Sequence, residues 1–258
     1  MIDVPRLLAE SYLRHIEWMD RVDSTNDRAL ALASDPLMET PFLIGSDRQT
    51  AGRGRGTNPW WGADGSLMFS IAVEMPSFGL STADWPRFSL VTGLAIAETL
   101  VSFLPLARVG LKWPNDVWLD GRKVCGILIE QCDRFPDRLI VGIGLNVNNS
   151  FDAAPEEQRC VANSMVDAVH GILFSRTEVL IAFLSRWRSL VQHLAEGDIN
   201  LVERWSRACV LSGYPVTLTS GNQQTTGVCA GIDADGALRL RTAFAIERHY
   251  AGTVRLLE

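Results

Sequence analysis

Residues 112–130 read KWPNDVWLDGRKVCGILIE, and this stretch is the clearest local indication of the fold. Two apolar runs, 117–119 and 124–129, flank the dipeptide Asp120-Gly121. Asp-Gly suits the positive φ angles of a two-residue turn between strands. The stretch therefore predicts a β-hairpin.

The sequence on both sides of the hairpin mixes further strands with helices. Apolar runs predict strands at 15–22, 42–44, 67–73 and 139–147. Helical spacing of apolar residues, together with capping residues at 23–25, 81–84 and Thr177, predicts helices at 4–13, 25–33, 81–104, 177–194 and 199–209. This pattern predicts an α/β (α+β) body, a mixed β-sheet with flanking helices.

The pattern changes after Gly213. Short alternating strands are predicted at 216–219, 226–230, 237–240 and 246–256, separated by the turn dipeptides Gly221-Asn222 and Asp235-Gly236. Such strands indicate a small all-β barrel. We therefore predict two domains, residues 1–212 and residues 213–258.

Composition and charge exclude several classes of protein. The 258 residues are 47% hydrophobic and 21% charged, which is typical of a folded globular chain. A net charge of −6 argues against bulk attraction to nucleic acid or to an anionic membrane. We find neither a signal peptide nor a membrane-spanning apolar run, so the cytoplasm is the expected location. Five scattered cysteines predict neither a disulfide framework nor a zinc site: Cys125, Cys132, Cys160, Cys209 and Cys229.

A loop rich in glycine and arginine follows the second predicted strand. Residues 49–61 read QTAGRGRGTNPWW. The glycines leave backbone N–H groups open, and Arg53 and Arg55 add fixed positive charge, which suits a phosphate group. The loop lacks the Gly-Lys-Ser/Thr ending of a Walker A motif. A mobile surface loop and a single RGG-type RNA-binding segment are the alternatives.

The hairpin also carries side chains that suit an anion and a cation. Lys112 and Lys123 are predicted at opposite ends of the hairpin, where two ammonium groups can converge on one anion. Asn115 and Asp116 lie at the mouth of its first strand, where their oxygens are candidate ligands for Mg²⁺. Solvated surface lysines are the alternative interpretation.

Four motifs, in order and at similar spacing, resemble the biotin protein ligases. They are DSTND at 23–27, QTAGRGRG at 49–56 with Trp60, KWPND at 112–116 and GRKVCGILIE at 121–130; GIGLNVN at 142–148 resembles the strand that follows in that family. The resemblance implies a class II synthetase-like catalytic domain and a small C-terminal SH3-like barrel. It also implies an enzyme that uses ATP and Mg²⁺ to join biotin, through biotinyl-5′-AMP, to a lysine of a biotin carboxyl carrier protein domain.

The resemblance implies a role for each matching residue. The expected catalytic residues are Lys123, Arg53, Arg55 and Lys112. The expected biotin contacts are Ser24, Thr25, Asn26, Gln49, Gly52, Arg53, Gly54, Arg55, Lys123, Gly126 and Gly144. The expected ATP contacts are Arg53, Arg55, Trp60, Lys112, Asn115, Lys123 and Asn146. The expected metal ligands are Asn115 and Asp116.

Two differences from the family bear on these expectations. Some members carry a further Arg-Gly-Arg where this chain has Gly56-Thr57-Asn58, so its loop is less basic. Some members also have an N-terminal winged helix-turn-helix, for which the segment before Ser24 is too short, so we expect no repressor activity and no DNA binding. A lipoate or octanoyl transferase and a non-catalytic biotin sensor are the alternatives. For a homodimer, edge pairing through 139–147 is our hypothesis.

Overall fold

The structure is a computed structural model that describes residues 1–151, 154, 156 and 160–257. Its larger sheet consists of β1 (His15–Val22), β2 (Phe42–Gln49), β3 (Leu67–Glu74), β4 (Val109–Lys112), β5 (Asp116–Leu119), β6 (Arg122–Gln131) and β7 (Arg138–Leu145). The strand order is β1-β2-β3-β7-β6-β5-β4. β1 and β2 pair in parallel, whereas the other neighbours pair antiparallel. The predicted mixed sheet is confirmed.

Helices cover both faces of this sheet. They are α1 (Val4–Glu10), α2 (Thr25–Ala33), α3 (Trp85–Phe103), α4 (Met165–Ala168), α5 (Arg176–Glu196) and α6 (Leu201–Ala208), with 3₁₀ turns at Met75–Phe78 and Thr82–Asp84. On one face Phe88 of α3 contacts Trp187 of α5. On the other face Ala29 of α2 packs in a cluster with Phe42. Because both faces are covered, the central strands β3 and β7 are buried along nearly their whole length.

The predicted hairpin is present, but it does not contain Lys112. β5 and β6 pair antiparallel around Asp120 and Gly121, whose φ angles are 49° and 81°. These positive values are those of the predicted turn, and glycine adopts them without steric cost. Lys112 ends the preceding strand, β4, and faces Asp116 of β5. Lys112 and Lys123 therefore lie on the two strands that flank β5, not at opposite ends of one hairpin.

The C-terminal residues form a second, antiparallel sheet. Its strands are β8 (Pro215–Ser220), β9 (Gln223–Ile232), β10 (Leu238–Arg241), β11 (Ile246–His249) and β12 (Thr253–Leu256), in the order β11-β10-β9-β8-β12. The prediction of one strand over 246–256 is wrong. The chain turns between β11 and β12, where Gly252 has a φ of 139°. The domain boundary after residue 212 remains a prediction.

Three further local predictions differ from the structure. β7 lies between β3 and β6, so edge pairing through 139–147 is wrong as a dimer hypothesis; β1 and β4 are the edge strands of the larger sheet. β2 continues to Gln49 because it stays paired with β1. Ser175, not Thr177, caps α5, and the hydroxyl of Thr177 instead accepts a hydrogen bond from the N–H of Asp3 at 3.0 Å.

Among the described residues, no helix is long and apolar enough to cross a membrane.

Candidate active site

The candidate site is a cavity where the start of α2, the loop after β2, and strands β6 and β7 meet. Its lining residues are Ser24, Thr25, Asn26, Gln49, Arg53, Gly54, Arg55, Trp60, Asn115, Lys123, Gly126, Ile127, Leu128, Gly142, Ile143 and Gly144. A role in the site was expected for all of these except Ile127, Leu128, Gly142 and Ile143, which lie within the quoted motifs. The fold thus brings side chains from four separate motifs to one cavity.

Buried polar side chains form the floor of the cavity. Ser24 caps α2 with its hydroxyl. The N–H of Thr25 donates to Oε1 of Gln49 at 2.7 Å. The hydroxyl oxygen of Ser70 lies 2.8 Å from Oγ1 of Thr25 and 2.6 Å from Oδ1 of Asn26. These mutual bonds hold the floor groups in defined orientations toward a small polar ligand.

The motifs missed Ser70, although the sequence carries a signal for it. Ser70 is fully buried and lies in β3, which reads LMFSIAVE. It is the only polar residue of that strand before its last position. Because a buried hydroxyl needs a hydrogen-bonding partner, a lone serine in an apolar strand indicates a polar neighbour in the fold.

Arg53 is held at the rim of the cavity by two carboxylates. Its guanidinium donates to both oxygens of Glu130, from Nη1 at 2.8 Å and from Nη2 at 2.7 Å. Nη2 also donates to Oδ1 of Asp27 at 2.5 Å. The bond to Glu130 is the main reason that the pKa of Arg53 is raised above its ordinary value. Both carboxylates end motifs quoted above, at 23–27 and 121–130, but the sequence analysis expected no role for them.

Arg55 links the loop to the hairpin and to the C-terminal sheet. Its Nη1 donates to Oδ1 of Asn115 and to the carbonyl oxygen of Gly252, both at 3.3 Å. Burial lowers the pKa of Arg55, although the charge of Asp116 opposes this shift. Thr253 lines the neighbouring cavity with Arg55, so the C-terminal sheet forms part of the site.

The two lysines lie beside Asp116 in that neighbouring cavity. Nζ of Lys123 lies 2.7 Å from Oδ1 of Asp116 and 5.8 Å from the centre of the Trp60 ring. Lys112 is half-buried, and its Nζ lies 4.9 Å from the centre of the Trp118 ring. Burial lowers the pKa of Lys112. These are the only two lysines of the chain, which has 24 Lys and Arg residues together.

Two glycines of β7 make room for side chains that cross the strand. A Cβ at Gly142 would lie 2.1 Å from Oδ1 of Asn26. A Cβ at Gly144 would lie 2.3 Å from the Trp60 ring, and one at Gly126 would lie 3.1 Å from it. In this structure, therefore, the indole ring of Trp60 lies over Gly126 and Gly144, two of the residues expected to contact biotin.

Gly52 and Asn146 do not line the cavity. A Cβ at Gly52 would lie 2.9 Å from the carbonyl oxygen of Trp60, so glycine is needed there for the close crossing of two loop segments. Asn146 is buried behind the cavity. Its Nδ2 donates to the carbonyl oxygen of Asn163 at 3.0 Å, and its Oδ1 accepts from Asn149 at 3.2 Å. Asn146 lines neither this cavity nor the one beside Asp116, and its contact with ATP remains a prediction.

The two predicted metal ligands are engaged by other groups. The carboxylate of Asp116 pairs with Lys123. The amide of Asn115 accepts from Arg55 and donates from Nδ2 to the carbonyl oxygen of Ile127 at 2.7 Å. Mg²⁺ requires a shell of several oxygen ligands. Here the carboxylate is paired with a lysine and the amide oxygen accepts from an arginine, so the two side chains do not supply such a shell. These residues alone therefore do not form a magnesium site.

One other group of potential metal ligands occurs within the part of the chain that the structure describes. It consists of His193, Glu196 and Asp198, all exposed at the C-terminal end of α5. It is separate from the cavity.

Comparison with known proteins agrees with this architecture. Residues 18–146 match the Biotin/lipoate A/B protein ligase family, and residues 211–257 match the Biotin protein ligase C terminal domain. The biotin--[acetyl-CoA-carboxylase] ligase of Paracoccus denitrificans is 31% identical over 86% of this chain and 92% of that protein. The chain belongs to the biotin protein ligase family. The resemblance carried by the four motifs is thereby confirmed.

Two more relatives of this ligase cover almost the whole chain. The bifunctional ligase/repressor BirA of Bacillus subtilis is 28% identical over 99% of this chain and 81% of that protein. The biotin protein ligase from Aquifex aeolicus, solved in complex with biotin and ATP, is 29% identical over 95% of this chain and 99% of that chain, with a TM-score of 0.80. Biotin ligation is thus the activity of the family to which this enzyme belongs.

Proposed function

We propose that this chain attaches biotin to a lysine of a biotin carboxyl carrier protein domain, with ATP and through biotinyl-5′-AMP. One observation carries the proposal. Arg53 and Lys123, 70 positions apart in sequence, line the same cavity as the polar floor formed by Thr25, Asn26 and Gln49. A cavity with a neutral polar end and a cationic end suits a ligand with an uncharged polar ring and a carboxylate.

In the first step the biotin carboxylate attacks the α-phosphorus of ATP. A bond forms between a carboxylate oxygen and phosphorus, the bond to the bridging oxygen breaks, and pyrophosphate leaves. Negative charge grows on the phosphoryl oxygens during this step, so preorganised cations lower the barrier. Arg53, Arg55 and Lys123 are the cations that line the cavity, and Lys112 lies in the neighbouring one.

In the second step a neutral lysine amine of the carrier attacks the carbonyl carbon of the adenylate. A carbon–nitrogen bond forms, the bond from that carbon to the phosphate oxygen breaks, AMP leaves with the electron pair, and the nitrogen gives up one proton to solvent. The loop around Arg53 and Arg55 lines the cavity together with Trp60; closed over the adenylate, it would limit the access of water to the mixed anhydride. Positioning is the main contribution of the enzyme to this step.

We further propose that Mg²⁺ arrives bound to the phosphates of ATP, since Asn115 and Asp116 alone do not form a site for it. The net charge of −6 supports a ligase that does not bind nucleic acid. We also propose a cytoplasmic location, where the enzyme would meet ATP. The acceptor is expected to be a biotin-dependent carboxylase, such as an acetyl-CoA carboxylase.

The test offers the chain a choice of substrate. The protein is incubated with ATP, Mg²⁺, a biotin carrier domain, a lipoyl domain, and labelled biotin or labelled lipoate. We expect biotin on the carrier domain and equal amounts of AMP. Exclusive transfer of lipoate would identify a lipoate ligase, which the matched family also includes by its description. Biotin binding without release of pyrophosphate would identify a sensor.

A further inference from the structure

Glu130 touches both the floor of the cavity and the loop above it. It lies on β6, and its carboxylate accepts two hydrogen bonds from Arg53, a paired arrangement that is strong and directional. Its Oε2, which accepts one of these two bonds, also accepts a hydrogen bond from Nδ2 of Asn26 at 2.7 Å. One carboxylate thus joins an arginine of the loop to a buried amide of the floor.

A chain of hydrogen bonds continues from Asn26 across the floor. Its Oδ1 lies 2.6 Å from the hydroxyl of Ser70, which also lies 2.8 Å from Oγ1 of Thr25. Thr25 in turn bonds to Oε1 of Gln49. Ser70 has one proton for two acceptors, so a ligand that bonds to one floor group changes the bonding of the others. The path runs from Gln49 to Glu130 without a gap.

The ion pair at the end of this path is partly exposed. The side chains of Arg53 and Glu130 are 37% and 25% exposed, and solvent weakens a pair that is this exposed. A guanidinium has five N–H donors, and the bonds to Glu130 and Asp27 use three of them, so Arg53 can bond to a ligand phosphate while Glu130 still holds it. Before a ligand binds, Glu130 and Asp27 hold Arg53 at the rim and thereby hold the loop near the cavity.

We propose that Glu130 is a positioning residue that keeps the Arg53 loop ordered and couples occupation of the floor to ligand binding under the loop. The proposal rests on the proposed function, since biotin is taken as the floor ligand and ATP as the loop ligand. A floor ligand makes Asn26 more rigid, Asn26 steadies Glu130, and Glu130 holds Arg53 in place for ATP. Each ligand therefore tightens the binding of the other by the same factor.

Limited proteolysis tests the hold of Glu130 on the loop without any ligand. Trypsin cleaves after arginine, and mass spectrometry distinguishes cleavage after Arg53 or Arg55 from cleavage elsewhere. We expect Glu130→Gln to raise the loop cleavage rate about fivefold. Glu17→Gln is the matched control, because Glu17 accepts an equivalent pair of hydrogen bonds from Arg28 outside the cavity. Equal loop cleavage in wild type and Glu130→Gln overturns the proposal.

Calorimetry tests the coupling. The Kd for biotin is measured with and without a non-hydrolysable ATP analogue, and we expect the analogue to tighten it at least about fivefold in the wild type. In Glu130→Gln this ratio falls toward one, whereas Glu130→Asp, which keeps the charge, restores part of it. A purely structural defect weakens biotin binding both with and without the analogue, so the ratio of the two Kd values stays at its wild-type value. A wild-type ratio in Glu130→Gln therefore contradicts the coupling. If the wild type binds no biotin, the proposed function fails, while the proteolysis still decides the role of Glu130.

Discussion

Gly142→Ala is expected to disrupt the polar floor while the sheet remains folded. The new Cβ would lie 2.1 Å from Oδ1 and 2.8 Å from Cγ of Asn26, far inside van der Waals contact. β7 is paired on both sides, so its backbone cannot easily move away. Asn26 must therefore leave its place and lose its bonds to Ser70 and Glu130.

The size of the effect follows from overpacking and from lost hydrogen bonds. Overpacking a buried site costs about 1–3 kcal/mol. Each lost hydrogen bond of these buried groups adds about 1 kcal/mol. We expect the free energy of unfolding to fall by about 3–5 kcal/mol. We also expect the affinity for biotin to fall at least about tenfold, since the displaced amide enters the floor.

Urea unfolding and calorimetry with biotin measure the two effects, and Gly93→Ala provides the control. Gly93 lies within α3, where the nearest atom to an added Cβ would be Cδ2 of Leu111 at 3.6 Å, an ordinary contact. This change should stabilise the protein by about 1 kcal/mol and leave biotin binding unchanged. Wild-type stability and wild-type biotin affinity in Gly142→Ala would refute the packing of Asn26 on Gly142.

Three further changes test the cations of the site. Lys123→Met keeps the aliphatic stem but removes the charge; pyrophosphate release should slow at least about 100-fold with little change in the urea midpoint, and near-normal release would refute its role. Arg55→Gly should open the loop, so that biotinyl-AMP escapes and labels lysines of an added bystander protein. On the chain itself, mass spectrometry should find labelled amines only at Lys112, Lys123 and the N-terminus. Labelling confined to the carrier would contradict the role of the loop in retaining biotinyl-AMP. Burial lowers the pKa of Lys112, so folding disfavours its charged form. As the pH rises toward 10.5, the ordinary pKa, the free energy of unfolding of the wild type should therefore rise relative to that of Lys112→Met. Parallel pH profiles of the two proteins in urea unfolding would contradict this.

Local chemistry was sufficient to predict the hairpin turn and the anion-binding loop, whereas the resemblance to biotin protein ligases supplied most of the other cavity residues. Asp120-Gly121 favours a tight turn whatever surrounds it, and the glycine–arginine loop suits anions by its composition. The capping residues at the start of α2 were also predicted locally, and Ser24 is both the helix cap and a lining residue of the cavity. These features depend on neighbours in sequence.

Features that depend on strand register were not predicted. Glu130 on β6 meets Arg53, in the loop after β2, only because long-range pairing through β3 and β7 aligns these strands, and no local pattern reports that alignment. The edge position expected for 139–147 failed for a different reason. That strand is apolar on both faces, a pattern typical of a central strand, so the sequence held evidence against an edge. The break near Gly252 was missed because residues on both sides favour strands.

The central claim is that Arg53, Arg55 and Lys123 meet around one acidic group, and a crystal structure with a sulfamoyl analogue of biotinyl-AMP tests it most directly. We predict the biotin ring on the floor beside Thr25 and Asn26, and Nζ of Lys123 with at least one of the two guanidinium groups within about 3.2 Å of the sulfamoyl linkage. An analogue bound elsewhere, or one whose linkage contacts none of these three side chains, would contradict the account.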